Sequence, residues 1–203
     1  MNAAEREQMA VDIALIHFPV INKSGEAIGS AVTNLDIHDI ARAAKTFGVG
    51  RYYIVTPYAD QQQLVTEIID HWQTGHGAVY NPARKSALAL VRLAGCLEDV
   101  ILKVSETYGK RPLLVTTSAR IHENSITFTD ARKRIGKGEP LLLLFGTAHG
   151  LAPEVINRAD YTLPPICGNT GYNHLSVRSA VSIILDRLLG VPEGINNEIS
   201  NHV

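Results

Sequence analysis

Leu141-Leu-Leu-Leu-Phe145 is the most apolar short run in the chain, and it stops abruptly at Gly146-Thr-Ala-His-Gly150. A run of this length, ended by a glycine turn, is too short for a buried helix. It suits a strand covered on both faces, as in parallel sheets whose crossovers are helices. Glycine at position 146 leaves the end of the strand without a Cβ, so another group can approach the backbone there. The loop after the strand is therefore a first place to look for a ligand.

Outward from this run, strand and helix patterns alternate. Upstream, Leu113-Leu-Val-Thr-Thr117 reads as a strand, and residues 129–135 as a basic helical piece carrying Arg132 and Arg134. Downstream, a short helix is expected at 153–157, a strand at 161–163 and a last helix from about Leu175 to Leu189. Nearer the start, residues 11–18 form an apolar, β-branched strand pattern followed by the turn Asn22-Lys-Ser-Gly25. In the next segment Ile37, Ile40, Ala41, Ala44 and Phe47 recur at helical spacing. Thr33, Asn34 and Asp36 offer cap oxygens there, and Gly48 suits the left-handed stop. A strand at 51–56, a helix at 61–72 and a helix at 97–108 complete the pattern, and residues 88–93 read as a strand. The expected architecture is α/β, a parallel sheet covered by helices on both faces. Ligands of such sheets sit at the carboxyl ends of the strands, which singles out the loops after Thr117, Phe145 and Leu163.

The whole chain of 203 residues fits one domain, with residues 1–10 as an arm and 191–203 as a polar tail. Hydrophobic residues make up 45% and charged residues 19%, which excludes disorder for most of the chain. The start, MNAAEREQMAVD, lacks the basic, then apolar, pattern of a secretory signal, and no apolar run is long enough to span a membrane. A cytoplasmic location is expected. A net charge of −1 argues against a general nucleic-acid coat but leaves room for a local basic face. Cys96 and Cys167 form no CxxC pair and are expected to be buried, inert thiols, so no zinc site is anticipated. No GxGxxG, GxxxxGK[ST], HExxH or GxSxG pattern is present, which weakens dinucleotide, nucleoside-triphosphate and simple hydrolase readings.

What remains is a set of loops. Pro164-Pro-Ile-Cys-Gly-Asn-Thr-Gly171 offers an apolar wall at Pro165 and Ile166, with backbone groups that can read a purine edge. Tyr172-Asn-His-Leu-Ser-Val-Arg-Ser-Ala180 opens the last helix, where Asn173 and Ser176 can cap and Arg178 can face an anion. Taken singly, each has a plainer reading: Gly146 and Gly150 as turn residues, Asn173 and Ser176 as a helix cap.

Together the segments resemble the SPOUT superfamily of S-adenosylmethionine-dependent RNA methyltransferases. Leu144-Phe-Gly-Thr-Ala-His-Gly-Leu-Ala-Pro-Glu154 with Leu163-Pro-Pro-Ile166 is similar to its second motif, and Asn173-His-Leu-Ser-Val-Arg-Ser-Ala180 to its third. Ile40-Ala-Arg-Ala-Ala-Lys-Thr-Phe-Gly-Val49 is similar to the first motif of the ribose-methylating branch. The chain departs from that branch at Asp36-Ile-His38, at Ala148-His149 and at His174. Transfer to a guanine ring nitrogen therefore stands beside transfer to a ribose 2′-hydroxyl. The closest likeness is an uncharacterised bacterial branch resembling guanine-methylating tRNA enzymes.

The resemblance implies a C-terminal trefoil knot, S-adenosylmethionine as cofactor, tRNA or rRNA as substrate, a homodimer, and no metal. It implies a cofactor site at Thr117, Phe145, Gly146, Thr147, Pro165, Ile166, Asn173, His174, Leu175 and Ser176. Arg42 is the residue matched to the first motif as catalytic or RNA-orienting, with Asp36 and His38 beside it as proton-handling candidates. Tyr172, Arg178, Arg132 and Arg134 are candidate RNA contacts. Two other readings stay open: a cofactor-binding protein of the same fold without turnover, and a doubly wound domain that binds a nucleotide by a non-standard loop.

Overall fold

The computed structural model describes residues 9–191, so the parts of the expected arm and tail at 1–8 and 192–203 lie outside it. The main sheet is built from β1 (Val11–Ile16), β4 (Tyr52–Val55), β5 (Val91–Ala94), β6 (Leu113–Thr117), β7 (Leu141–Gly146) and β8 (Tyr161–Leu163). Its order is β5-β4-β1-β7-β6-β8, and every pairing within it is parallel. The leucine run of β7 lies against β1 in the register Val11 to Leu141 through Ile16 to Gly146, with β6 on its other side. Leu141, Leu142, Leu143, Leu144 and Phe145 are all buried, because their side chains alternate between two separate cores.

One core packs Ile13, Leu15, Leu141, Leu143 and Phe145 against four helices: α1 (Asn34–Thr46), α4 (Pro82–Leu88), α6 (Phe128–Gly136) and α8 (Val177–Leu189). Val65 of α2 (Ala59–Gln73) joins the same core, and the short α3 (His76–Tyr80) follows α2. The other core packs Ala14, Ile16, Leu142 and Leu144 against α5 (Leu97–Tyr108) and α7 (Pro153–Ile156). The expected parallel sheet flanked by helices is what forms. Both helices with a Thr-x-x-Asp start are closed the same way. Thr33 accepts from the Asp36 amide at 3.2 Å, and Thr127 from the Asp130 amide at 3.0 Å. Ser176 likewise accepts from the Ser179 amide and sets the start of α8, two residues later than expected.

Three expectations change. Residues 88–93 are not one strand: Leu88 closes α4 and β5 begins at Val91. Asn81 accepts from the Arg84 amide at 2.9 Å and Pro82 occupies the first helical turn, so a helix starts where none was expected. Cys96 and Cys167 are exposed rather than buried, Cys96 at the start of α5 and Cys167 in the loop after β8. A small antiparallel hairpin, β2 (Val20–Ile21) with β3 (Ala27–Ile28), closes over Asn22-Lys-Ser-Gly25. Among the described residues no helix is long and apolar enough to cross a membrane.

Candidate functional site

Strands β7, β6 and β8 are neighbours, so their carboxyl ends deliver three loops side by side. Thr117 ends β6 and donates its hydroxyl to the Leu144 carbonyl of β7 at 3.1 Å, tying two of these ends together. Gly146 ends β7. A Cβ built there would lie 2.7 Å from the Leu151 amide nitrogen and 3.0 Å from the Gly150 carbonyl carbon. The glycine is therefore required by the loop's own return, where the sequence suggested the approach of a ligand. Ala148, at φ 51°, and Gly150, at φ 117°, make that return. The loop is zipped to the hairpin strand: the His149 amide donates to the Ile21 carbonyl at 3.1 Å, and the Ile21 amide to the Gly150 carbonyl at 3.0 Å.

Thr147 is braced from beneath. Its Oγ1 lies 2.5 Å from Ser30 Oγ and donates to the Ile16 carbonyl at 3.2 Å, and Ser30 Oγ lies 3.0 Å from His17 Nδ1. His17 is fully buried at the end of β1, and burial holds its pKa below the usual histidine value, so it is neutral at pH 7. Its Nε2 has no hydrogen-bond partner. The sequence reading did not include His17 or Ser30. Their only signal is a polar residue at the end of an apolar strand; His17 and Ser30 lie 13 residues apart, but Thr147 lies 117 residues beyond Ser30.

The loop after β8 has a different character. Pro164, Pro165 and Ile166 are half-buried, and Ile166 packs on the larger core. Residues 167–172 are exposed, and space is open around Gly168 and Gly171. Among the described residues, no loop hydrogen bond joins the main chain of 164–175 to another main-chain group. The Asn173 side chain reaches across to the Ala119 carbonyl at 3.1 Å, which draws this loop to the one after β6. His174 meets Tyr172 edge to face at 5.4 Å, and Leu175 is about half exposed before the Ser176 cap. An apolar wall beside backbone donors and acceptors with no main-chain partner is the donor set an adenosine needs. Thr117, Gly146, Pro165, Ile166, Asn173 and Leu175 lie on the loops that leave the neighbouring strands β6, β7 and β8, and the donor set of the last loop is compatible with the adenosine of S-adenosylmethionine. Phe145 is fully buried, so only its backbone can take part.

The candidates on α1 separate into two groups. Asp36 is buried and both its oxygens are taken: Oδ2 accepts from Thr33 at 2.7 Å and Oδ1 from Arg178 at 2.8 Å. Arg178 also faces Asp39 at 3.5 Å. Arg178 therefore has an anionic partner within the chain, and Asp36 joins α1 to α8. Arg42 and His38 instead line an open cleft of about 590 Å³ between α1, α2 and α4. Burial, then the nearby Arg84 charge, lowers the pKa of His38, and its Nδ1 has no partner. Arg132 and Arg134, like Arg178, have partners within the chain. Arg132 donates to the Arg187, Asp186 and Gly190 carbonyls at the end of α8. Arg134 is paired with Glu139 at 2.9 Å and bonded to the Tyr161 hydroxyl. Glu139 follows α6 directly, whereas the end of α8 and Tyr161 come from segments that the sequence alone does not place beside it. Among the described residues no group of three or more His, Cys, Asp or Glu side chains is placed to hold a metal ion.

A family model described as SAM-dependent RNA methyltransferase matches residues 10–190, and the chain belongs to that family. S-adenosylmethionine is the family's cofactor. A tRNA (guanine-N(1)-)-methyltransferase of Oleidesulfovibrio alaskensis is 47% identical over 186 residues, 92% of this chain and 43% of the relative. The chain thus spans less than half the length of that curated relative. An uncharacterized protein of Aquifex aeolicus is 44% identical over 179 residues, 88% of this chain and 87% of its own. Among solved structures, the SpoU methyltransferase AviRb of Streptomyces viridochromogenes in complex with AdoMet superposes with a TM-score of 0.55. It is 16% identical, and the match covers 91% of this chain and 61% of that one. That likeness is one of fold. The resemblance carried by the three sequence motifs therefore holds for family and cofactor, and for the parallel sheet flanked by helices.

Proposed function

We propose that the chain transfers a methyl group from S-adenosylmethionine to a guanine ring nitrogen of tRNA, acting in the cytoplasm as a single domain and a homodimer. The observation that carries the reading is the set of adjacent loops after β6, β7 and β8, whose open main chain fits the family's cofactor and lies within the matched residues 10–190. The tRNA and the guanine come from the name of a longer relative. The cofactor supplies an electrophilic methyl group on a sulfonium sulfur. The chain's own work is to align the acceptor and dispose of a proton. Arg42, exposed at the cleft, holds the RNA backbone, and His38, kept neutral, takes the proton from the guanine ring. Asp36 positions Arg178 and thereby the start of α8. The homodimer is supported by Tyr172 and Leu175, 72% and 46% exposed beside the start of α8. The trefoil knot is supported by the Asn173 tie to Ala119, which holds the segment leading into α8 against the loop after β6.

The test is methyl incorporation. Purified protein is given labelled S-adenosylmethionine and tRNA from cells lacking the protein, and the RNA is digested to nucleosides for mass spectrometry. Label in a methylguanosine is the expected result. Label in a 2′-O-methyl nucleoside would move the acceptor to the ribose. Cofactor binding by calorimetry without label in tRNA or rRNA would leave only the binding reading.

A further inference from the structure

The cleft between α1, α2 and α4 holds a group of side chains with no role in the cofactor site. Trp72 is the only tryptophan of the chain, and its ring has several close neighbours. The Arg84 guanidinium lies over one face, 4.7 Å from the ring centre. His38 and His71 meet it edge to face at 5.4 Å. A Cβ on Gly77 would come within 2.7 Å of its ring carbons, so that side is closed by backbone. Arg84 is itself fixed at the start of α4 by the Asn81 cap. The tryptophan thus serves as a backing plate for the Arg84 guanidinium, and both side chains line the cleft.

We propose that this cleft is a nucleotide-binding subsite for the RNA, in which one unstacked base lies on the Arg84–Trp72 stack and Arg42 faces its phosphate. The proposal rests on the RNA reading above and names where the RNA is held. Among the described residues neither Arg42 nor Arg84 is in an ion pair, while the two acids of the cleft are engaged elsewhere. Asp39 faces Arg178, and Glu67 accepts from Gln63 at 2.9 Å. The cleft therefore offers an anion two guanidinium groups that make no ion pair of their own among the described residues. A planar cation backed by an indole is a stacking surface for any base, and Leu35, Leu64 and Ile68 give an apolar rim. A cleft of about 590 Å³ is within the range of small-ligand sites and accommodates a single nucleotide.

Because Trp72 is the sole tryptophan, its emission reports on this cleft alone. Unmodified tRNA is titrated into the wild-type protein while emission and filter retention are followed together. Saturating quenching with the same midpoint as retention is expected. Arg84→Ala and Arg84→Lys should both raise the KM for tRNA by about five- to a hundred-fold, the range for losing one stacked base. Cofactor affinity by calorimetry should stay within two-fold, which also certifies that the variants are folded. Lysine keeps the charge and loses the plane, so a wild-type KM in Arg84→Lys would overturn the stacking. If the wild type methylates tRNA but its emission does not change and both variants behave normally, the subsite is wrong and the RNA reading stands. If tRNA is neither retained nor methylated, the RNA reading fails and the subsite falls with it. Emission that changes with protein concentration alone would place a second copy in the cleft and overturn the proposal.

Discussion

Asp12 shows how a single buried carboxyl ties stability to pH. It is fully buried on β1, with Oδ1 accepting from Tyr108 at 3.3 Å and Oδ2 3.7 Å from Arg51, too far for a hydrogen bond. Burial outweighs the Arg51 charge and raises its pKa from 3.8 to about 6. Between these two values the folded state binds more protons than the unfolded one, so stability falls as pH rises through the window. Asp12→Asn removes that loss. Urea melts at pH 4 and pH 7 should show the variant gaining about 2–3 kcal/mol on the wild type across the interval. Equal pH dependence of the two proteins would show that the carboxyl is not held in its protonated form. The Asp36–Arg178 pair is a second residue-scale case. Double-mutant cycles with Asp36→Ala and Arg178→Ala should give a coupling of about 1–3 kcal/mol in thermal melts. A coupling near zero would mean that α1 and α8 are joined by packing alone.

At the scale of elements, helix starts and the β7 loop are the exposed points of the design. Thr33 and Thr127 cap α1 and α6 with the same Thr-x-x-Asp pattern. Each Thr→Ala change should cost about 1 kcal/mol, and the two should add, since they close separate helices. Strong non-additivity in chemical denaturation would indicate that the helices fray together. Gly146→Ala is a different kind of change, because the new Cβ meets backbone at Leu151 and Gly150. It should cost about 1–3 kcal/mol and weaken S-adenosylmethionine binding together. Wild-type calorimetric affinity in the folded variant would detach the β7 loop from the cofactor.

For the whole molecule the test is topological. A protein pulled from points near Val11 and Leu189 by an optical trap should, when fully unfolded, fall short of the extension that ~3.3–3.6 Å per residue allows. The shortfall is chain kept in a tightened knot. Full extension would show an unknotted path, and the proposed placement of Asn173, His174 and Leu175 around the cofactor would then lose its support. Sedimentation belongs to the same scale: Leu175→Glu should convert a dimer to a monomer if the start of α8 is the joining surface.

Periodicity and punctuation determined most of the elements. The leucine run of β7, the apolar alternation with helices and the capping threonines act over a few residues, so the sequence carried the α/β class, the two-sided cover and the position of the three loops. The motif order carried the family. Tertiary structure alone decided which polar groups remain available. Asp36 reads as a helix-start carboxylate and proton-handling candidate, Arg178 as an anion contact and Arg132 and Arg134 as a basic face, and each also has a partner distant in sequence. The brace from His17 through Ser30 to Thr147 and the stack of Arg84 on Trp72 are equally long-range or hang on a helix start that the reading passed over. Local backbone preference is written in neighbouring residues, whereas the partner of a buried or charged side chain is set by the sheet order that brings remote segments together.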